Sequence, residues 1–119
     1  MHHFLPLSAA LMSFLYIGIA LANNMALKAV DFEVFGRVQG VFFRKFTKEK
    51  ADALNIKGWV RNTYSGTVLG HAEGTDDAIS QMKNWLSHTG SPHSRIDKAD
   101  FRNEKDIDKT TASDFRITH

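Results

Sequence analysis

The sequence predicts an α+β domain of the split βαβ, or ferredoxin-like, class, in which two helices pack on one face of an antiparallel sheet. Two observations lead to this prediction. Along residues 25 to 119 the hydrophobic period changes in the order strand, helix, strand, strand, helix, strand, and a short terminal strand follows. No internal repeat, low-complexity tract or linker divides this stretch. We therefore expect one domain over residues 25–119.

The first strand and first helix are marked by a change of period. Val30, Phe32 and Val34 alternate with acidic residues, which is the two-residue period of a half-buried strand. A glycine-bounded loop, GRVQG, comes next. Four residues then recur at helical spacing and predict a helix that covers one face of the sheet: Phe43, Thr47, Ala51 and Leu54.

The second half of the domain begins with a predicted hairpin. IKGWVRNT returns to the two-residue period, TYSG supplies a turn, and TVLGHAEG continues as the partner strand. Thr75 is a good helix cap, and Ile79, Met82 and Leu86 mark the buried face of a second helix. SRIDKADF reads as a strand, NEKDIDKTTAS as a polar, solvated loop, and DFRIT as a last edge strand.

Composition excludes several kinds of function. The chain has 43% hydrophobic and 24% charged residues, a net charge of +2 and no cysteine. Thiol catalysis, disulfide scaffolds and cysteine zinc sites are therefore excluded, and the charge is too small to indicate a nucleic-acid partner. The six histidines show no metal-motif spacing, so we expect neither a metal nor another cofactor. The domain is expected to be a monomer.

The first 24 residues differ in character from the rest of the chain. No Lys, Arg, Asp or Glu precedes Lys28, and residues 4–22 form an apolar run that ends in an A-x-A pattern. This pattern is typical of a secretory signal peptide, while its length also suits an uncleaved membrane anchor. Translation from Met25 would bypass it. The expected localisation is secretory or membrane-anchored if residues 4–22 are used, and cytoplasmic if synthesis starts at Met25.

GRVQGVFFR, residues 36 to 44, predicts a cradle for one phosphate group. Two glycines let the loop curl so that successive N–H groups point at one anion, and the helix that starts near Phe42 adds its free N–H groups. Arg44 in its first turn can lay a planar fork against phosphate oxygens. A tight turn with a solvated arginine is the alternative. The predicted phosphate-binding residues are Gly36, Val38, Gln39, Gly40, Val41, Phe42, Phe43 and Arg44.

GRVQGVFFR and GWVRNTYSGTVLG, residues 58 to 70, resemble the two signature stretches of the acylphosphatase family. GSPHSRID, residues 90 to 97, resembles a further family stretch, and the similarity covers Met25 to His119. The resemblance implies the split βαβ fold and hydrolysis of the carboxyl-phosphate bond of small acyl phosphates to a carboxylate and inorganic phosphate. Typical members are short cytosolic proteins, so the N-terminal extension departs from the family pattern.

The resemblance also implies roles for two catalytic residues. Arg44 matches the family arginine that binds the substrate phosphate, and Asn62 matches the asparagine that orients the attacking water. A neutral amide suits that task, because it can both donate and accept hydrogen bonds while the water proton passes to a phosphate oxygen. Thr63 is expected to support Asn62. Without the resemblance, Asn62 would read as an ordinary strand-end residue that satisfies a turn.

Two other classes of function compete with hydrolysis. A noncatalytic anion-binding module would keep the cradle, but binding alone does not require the amide of Asn62. A single-stranded nucleic-acid binder of the RRM type shares the βαββαβ order. Such a binder should carry an aromatic-rich signature on its third strand, and TVLGHAEG contains no Phe, Tyr or Trp. A secreted peptide factor is a further alternative if the leader operates.

Overall fold

The computed structural model describes residues 26–119, and the predicted N-terminal extension lies outside this part of the chain. No helix within residues 26–119 is long and apolar enough to cross a membrane. Seven elements follow one another along the chain: β1 (Leu27–Arg37), α1 (Phe43–Ala53), β2 (Lys57–Asn62), β3 (Val68–Thr75), α2 (Asp76–His88), β4 (Arg95–Ile107) and β5 (Phe115–Ile117). The predicted α+β, ferredoxin-like class is confirmed.

The five strands form one sheet in the order β4-β1-β3-β2-β5. β1 pairs antiparallel with both β3 and β4, and β2 pairs antiparallel with β3. The short β5 pairs parallel with β2, which makes the sheet mixed where the sequence predicts a purely antiparallel one. β5 is parallel to β2 because the chain reaches it through a crossing loop after β4. Strands that are joined by a hairpin would be antiparallel.

The core lies between the helices and one face of the sheet. Val30, Phe32 and Val34 of β1 are at most 2% exposed and face the helices, as their alternation predicts. The helices contribute most of the residues expected from their periodicity, and these are buried: Phe43, Thr47 and Ala51 of α1, with Ile79, Met82 and Leu86 of α2. Leu54, also predicted for the buried face of the first helix, follows the last helical residue and is only partly buried. Burying this apolar surface on one side leaves the opposite face of the sheet polar.

The two helices begin differently. The hydroxyl of Thr75 accepts a hydrogen bond from the backbone N–H of Ala78 at 3.1 Å, so the predicted cap of α2 is confirmed. α1 begins after Phe42, which has left-handed backbone angles and gives the helix no side-chain cap. The free N–H groups at the start of α1 therefore stay available to other acceptors.

The prediction of a polar loop over NEKDIDKTTAS is wrong for its first half. β4 continues to Ile107 and pairs with the start of β1, with a bulge where Asn103 has a positive φ. This stretch is exposed on both faces at the edge of the sheet, so burial imposes no alternation on its side chains. Charged residues on such an edge also discourage pairing with another chain.

A buried carboxylate ties the loop of residues 108–114 to the polar face of the sheet. Glu73 is 2% exposed and accepts hydrogen bonds from the N–H and hydroxyl of Thr111, at 2.8 and 2.6 Å, and from the N–H of Ala112. His71 lies between two carboxylates, with Nδ1 2.7 Å from Asp31 and Nε2 3.0 Å from Glu73. The cluster joins β1, β3 and the loop before β5.

The pKa values of the acid and the base in this cluster shift in opposite directions. Burial raises the pKa of Glu73, but hydrogen bonds from His71, Thr111 and Ala112 outweigh it and lower the pKa to about 2. Burial lowers the pKa of His71, and its hydrogen bonds and charge interactions with Glu73 and Asp31 outweigh that effect and raise it. Both shifts favour the charged forms in the folded state.

We expect the stability contributed by this cluster to be greatest between the two unfolded pKa values, about 4.5 for Glu73 and 6.5 for His71. The contribution of Glu73 is present above pH 4.5 and is lost as the pH falls toward 2. The contribution of His71 is complete below pH 6.5 and is lost as the pH rises through its raised folded pKa. His71→Gln should therefore reduce the decline of the free energy of unfolding above pH 6.5. Urea unfolding at several pH values measures this change.

The exposed His93 provides the control, because no hydrogen bond or ion pair involves it within residues 26–119. His93→Gln should keep the wild-type pH profile. A wild-type decline that persists in His71→Gln would contradict the assignment of this pH dependence to the cluster.

Candidate active site

Three strands end at the same edge of the sheet. β1 and β2 flank β3 and both run antiparallel to it, so they are parallel to each other. β5 is parallel to β2 and therefore ends at this edge as well. The topology consequently brings together the loop after β1, Asn62 at the end of β2 and Ile117 at the end of β5.

A cavity of about 320 Å³ opens at this edge. It is lined by Val38, Gly40, Phe42, Phe43, Arg44, Lys45, Asn62 and Ile117. The two residues predicted to be catalytic, Arg44 and Asn62, thus face one space although they come from different elements. Of the other predicted site residues, Gly36, Gln39, Val41 and Thr63 do not line the cavity.

The loop and the start of α1 supply a set of backbone donors. Gly40 has φ 73°, and Phe42, directly before α1, has φ 59° and ψ 28°. Within the described residues, the N–H groups from Gly40 to Lys45 have no hydrogen-bond partner. The positive end of the helix dipole lies in the same place. A helix N-terminus of this kind, preceded by a curled loop, is suited to hold an anion.

Gly36 lies near the end of β1, outside the cradle. Its φ is 132°, and a Cβ at this position would collide with the backbone carbonyl oxygen of Arg95 on β4. The β1–β4 register shifts between Phe35 and Gly36. The glycine is therefore required by the close approach of the two strands, and the curl of the loop depends on Gly40.

Val41 and Phe43 anchor the loop in the core. Val41 is 6% exposed and Phe43 is 1% exposed, and the ring of Phe43 lies 5.8 Å from that of Trp85. Phe42, between them in sequence, has the opposite orientation and is 71% exposed. The buried neighbours fix the backbone, so its N–H groups keep their positions.

The guanidinium of Arg44 is held between α1 and the residues that follow β5. Its Nη1 donates to the carbonyl oxygen of Thr118 at 3.5 Å and lies 3.3 Å from Nδ1 of His119. The remaining guanidinium N–H groups have no partner within residues 26–119. One edge of the planar group is thus positioned by the protein, while its other donors can bind an anion in the cavity.

Asn62 lines the cavity and carries an unsatisfied acceptor. Its Oδ1 is buried and has no hydrogen-bond partner within the described residues. Leaving such an atom without a partner in the folded protein costs about 1–3 kcal/mol. A hydrogen-bond donor that reaches this oxygen, such as a water, would recover that cost.

The side chain of Gln39 connects the loop to the hairpin that carries Asn62. Its Nε2 donates to the carbonyl oxygens of Thr63 and Thr67, both at 2.9 Å. The sequence predicts that Gln39 belongs to the phosphate cradle through the loop backbone, and its side chain also fixes the distance between the loop and the hairpin. No pattern in the sequence indicates this pairing, because the bonded residues are 24 and 28 positions apart.

A second set of hydrogen bonds stiffens the hairpin behind Asn62. Thr63 Oγ1 lies 2.6 Å from Thr67 Oγ1 and accepts from the N–H of Thr67 at 3.1 Å. The hydroxyl of Thr67 donates to Glu33 at 2.7 Å, and Arg102 donates to the other oxygen of that carboxylate at 3.0 Å. Thr63 thus occupies a supporting position, while Thr67 and Glu33 were missed by the sequence reasoning.

No group of three or more His, Cys, Asp or Glu side chains that could hold a metal ion occurs in the part of the chain that the structure describes. The donors at the cavity are cationic or neutral: the guanidinium of Arg44, the amide of Asn62 and backbone N–H groups. Donors of this kind are suited to an anion.

Comparison with known proteins gives a consistent result. The acylphosphatase family model matches residues 30–117. Acylphosphatase-2 from Meleagris gallopavo is 57% identical over 90 residues, covering 76% of this chain and 87% of that protein. Acylphosphatase-2 from Homo sapiens is 50% identical over 99 residues, covering 83% of this chain and 100% of that protein.

Solved structures agree with the sequence comparison. An acylphosphatase from Bacillus subtilis superposes with a TM-score of 0.71 at 32% identity, covering 77% of this chain and 99% of that one. An acylphosphatase from Coxiella burnetii superposes with a TM-score of 0.68 at 34% identity, covering 78% of this chain and 94% of that one.

Replacing Gln39 with methionine should loosen the loop, because the hydrogen bonds are lost. The methionine side chain still fills the space that the glutamine side chain occupies. The variant loses two neutral hydrogen bonds, each worth about 0.5–1.5 kcal/mol, so we expect the free energy of unfolding to fall by about 1–3 kcal/mol. Affinity for inorganic phosphate should fall as well, because the N–H groups are no longer held in one arrangement. Urea unfolding and calorimetric titration with phosphate measure the two effects.

Gln81→Met is the matched control for this prediction, since Gln81 lies on the exposed face of α2 and its amide contacts only Asp77. It should change neither quantity measurably. Unchanged phosphate affinity in a folded Gln39→Met protein would show that the loop keeps its shape without this contact.

Proposed function

The chain belongs to the acylphosphatase family and is an acyl-phosphate hydrolase, and we propose that Arg44 and Asn62 perform its reaction without a metal ion. The observation that carries this proposal is that Arg44 and Asn62 line one cavity, and that the Oδ1 of Asn62 has no hydrogen-bond partner within the described residues. A residue that binds phosphate and a residue that holds water are the two groups that hydrolysis of an acyl phosphate requires.

In the proposed complex the phosphate group lies at the start of α1. The N–H groups from Gly40 to Lys45 donate to its oxygens, and the guanidinium of Arg44 donates from one side. These donors are fixed before the substrate arrives, so they stabilise the charge on the transferring phosphoryl group without reorganisation. The positive charge of Arg44 and the helix dipole do the work that a metal ion does in many phosphatases.

Asn62 positions the attacking water. Its Oδ1 accepts a hydrogen bond from the water, which directs an oxygen lone pair of the water toward phosphorus. The supporting contacts of Thr63 and Thr67 hold the end of the hairpin in place. Positioning of this kind lowers the barrier because the reactants meet already aligned.

The chemistry needs no strong general base. The bond between phosphorus and the bridging oxygen breaks, and the leaving group departs as a carboxylate, which is a weak base and needs no protonation. The proton of the attacking water passes to a nonbridging phosphate oxygen of the substrate. The products are the free carboxylate and inorganic phosphate, and protein side chains need only hold and stabilise the reactants.

The same proposal covers the partners of the chain. We expect a small-molecule acyl phosphate as the binding partner, no nucleic acid, and a monomeric domain. Contact with a membrane would involve only the N-terminal extension, if it is retained. Secretion, anchoring and a start at Met25 are the three alternatives for that extension.

Asn62→Ala should lower kcat for benzoyl phosphate about 10²- to 10³-fold, by analogy with removal of one preorganised donor from an oxyanion site. The fold should persist, because the lost Oδ1 makes no hydrogen bond within the described residues. The assay is run on the full chain with EDTA present, and Asn84→Ala on the exposed face of α2 is the control. Near-wild-type turnover in folded Asn62→Ala would reject its role.

Arg44→Gln should lose phosphate affinity together with turnover, because it removes both the charge and the fork of donors. Arg44→Lys should recover part of the affinity, since it restores charge without the planar geometry. Arg116→Gln is the control, because Arg116 is exposed on β5 and pairs with Asp114. Titration with inorganic phosphate and steady-state kinetics distinguish binding from turnover.

A folded wild-type protein that binds phosphate but hydrolyses no acyl phosphate would favour the noncatalytic anion-binding alternative. Activity that EDTA abolishes and a divalent metal restores would reject the metal-free mechanism.

A further inference from the structure

Phe42 is unusual in both its backbone and its side chain. Its backbone is left-handed, with φ 59°, a conformation that phenylalanine adopts only at an energetic cost. Its ring is 71% exposed, and among the described residues only Tyr64 is another large hydrophobic side chain with comparable exposure. The protein thus keeps an aromatic residue largely in solvent, on a strained backbone, at a position that lines the cavity.

The cavity has an apolar part beside its phosphate cradle. Several of the residues that line it are apolar, while others bear polar or charged groups: Val38, Phe42, Phe43 and Ile117 are apolar, and Arg44, Lys45 and Asn62 are polar or charged. Its volume of about 320 Å³ falls at the lower end of the range for small-molecule pockets. A single phosphate group does not require a pocket of this size or an apolar lining.

In-line attack determines which part of the substrate meets this apolar part. The attacking and leaving oxygens lie on opposite sides of phosphorus, so the acyl group extends away from the water that Asn62 holds. The acyl group therefore needs a surface other than Asn62, and the apolar side chains around the cavity provide one. Phe42 offers the largest exposed face among them.

We propose that the ring of Phe42 is a platform for the acyl group and makes the enzyme favour acyl phosphates with an aromatic or bulky apolar acyl group over those with a small one. This inference rests on the proposed function. Phe42 then has two separate roles, because its backbone N–H belongs to the phosphate cradle and its ring sets acyl-group preference. The left-handed backbone of Phe42 turns its side chain away from the core in which Val41 and Phe43 are buried.

Phe42→Asn separates these roles. Asparagine accepts the left-handed conformation more readily than phenylalanine, so the variant should fold and keep the backbone N–H in place. Phe42→Leu keeps an apolar side chain without an aromatic face. Any change that either variant causes in the cradle affects every acyl phosphate, because all substrates share the phosphate group, and it cancels in a ratio between two substrates.

The experiment measures kcat/KM for benzoyl phosphate and acetyl phosphate with the full-length protein. The ratio of the two values should fall about 10-fold in Phe42→Asn, which corresponds to loss of an aromatic contact of ordinary strength, and by less in Phe42→Leu. The matched control is Tyr64→Asn, which removes the other exposed ring from the hairpin turn outside the cavity. That variant should keep the wild-type ratio.

A ratio that stays at the wild-type value in Phe42→Asn would overturn the proposal, even if both activities fall, because the ring would then act only through the loop. An equal fall of the ratio in Tyr64→Asn would overturn it too, since the effect would not be specific to the cavity. Absence of hydrolysis of both compounds by the wild-type protein would instead reject the proposed function itself, and the acyl platform with it.

Discussion

The pairing of β3 with β1 on one side and β2 on the other is the constraint on which the functional end of this protein depends. Val68 of β3 lies opposite both Val34 of β1 and Asn62 of β2, so these two strands are level with each other where they end. A slip of one residue in either ladder would turn every side chain of that strand to the other face. The position of Asn62 relative to the loop after β1 is therefore fixed by burial in the core.

The polar face of the sheet contributes to the same end of the molecule. Glu73 fixes the loop of residues 108–114, and that loop leads directly into β5. β5 places Ile117 in the cavity, and Thr118 follows it against the guanidinium of Arg44. A carboxylate on the face away from the core thus stabilises a strand that completes the site. Loss of the Glu73 contacts would affect the cavity without altering any residue that lines it.

The sequence predicts what hydrophobic periodicity and short motifs determine. The alternation around Phe32 and the cap at Thr75 depend on neighbours in the chain, and both predictions are confirmed. The end of β4 and the contacts of Gln39 depend on residues far along the chain, and no local pattern records them. The motif of Arg44 predicts its place in the first turn of a helix after a glycine loop, whereas the contacts that hold its guanidinium required the three-dimensional structure.

The residues of the site are those at which the chain departs from ordinary folding rules. Phe42 is left-handed and exposed, α1 begins without a side-chain cap, and Asn62 buries an oxygen with no partner. Each departure lowers the stability of the free protein, and the core together with the contacts of Gln39 and Glu33 offsets them. Under the proposed function these groups are held in place before a ligand binds, so a phosphate and a water that satisfy them would relieve costs already incurred in folding. These groups lower the stability of the free protein. In return they stabilise the bound, reacting state selectively.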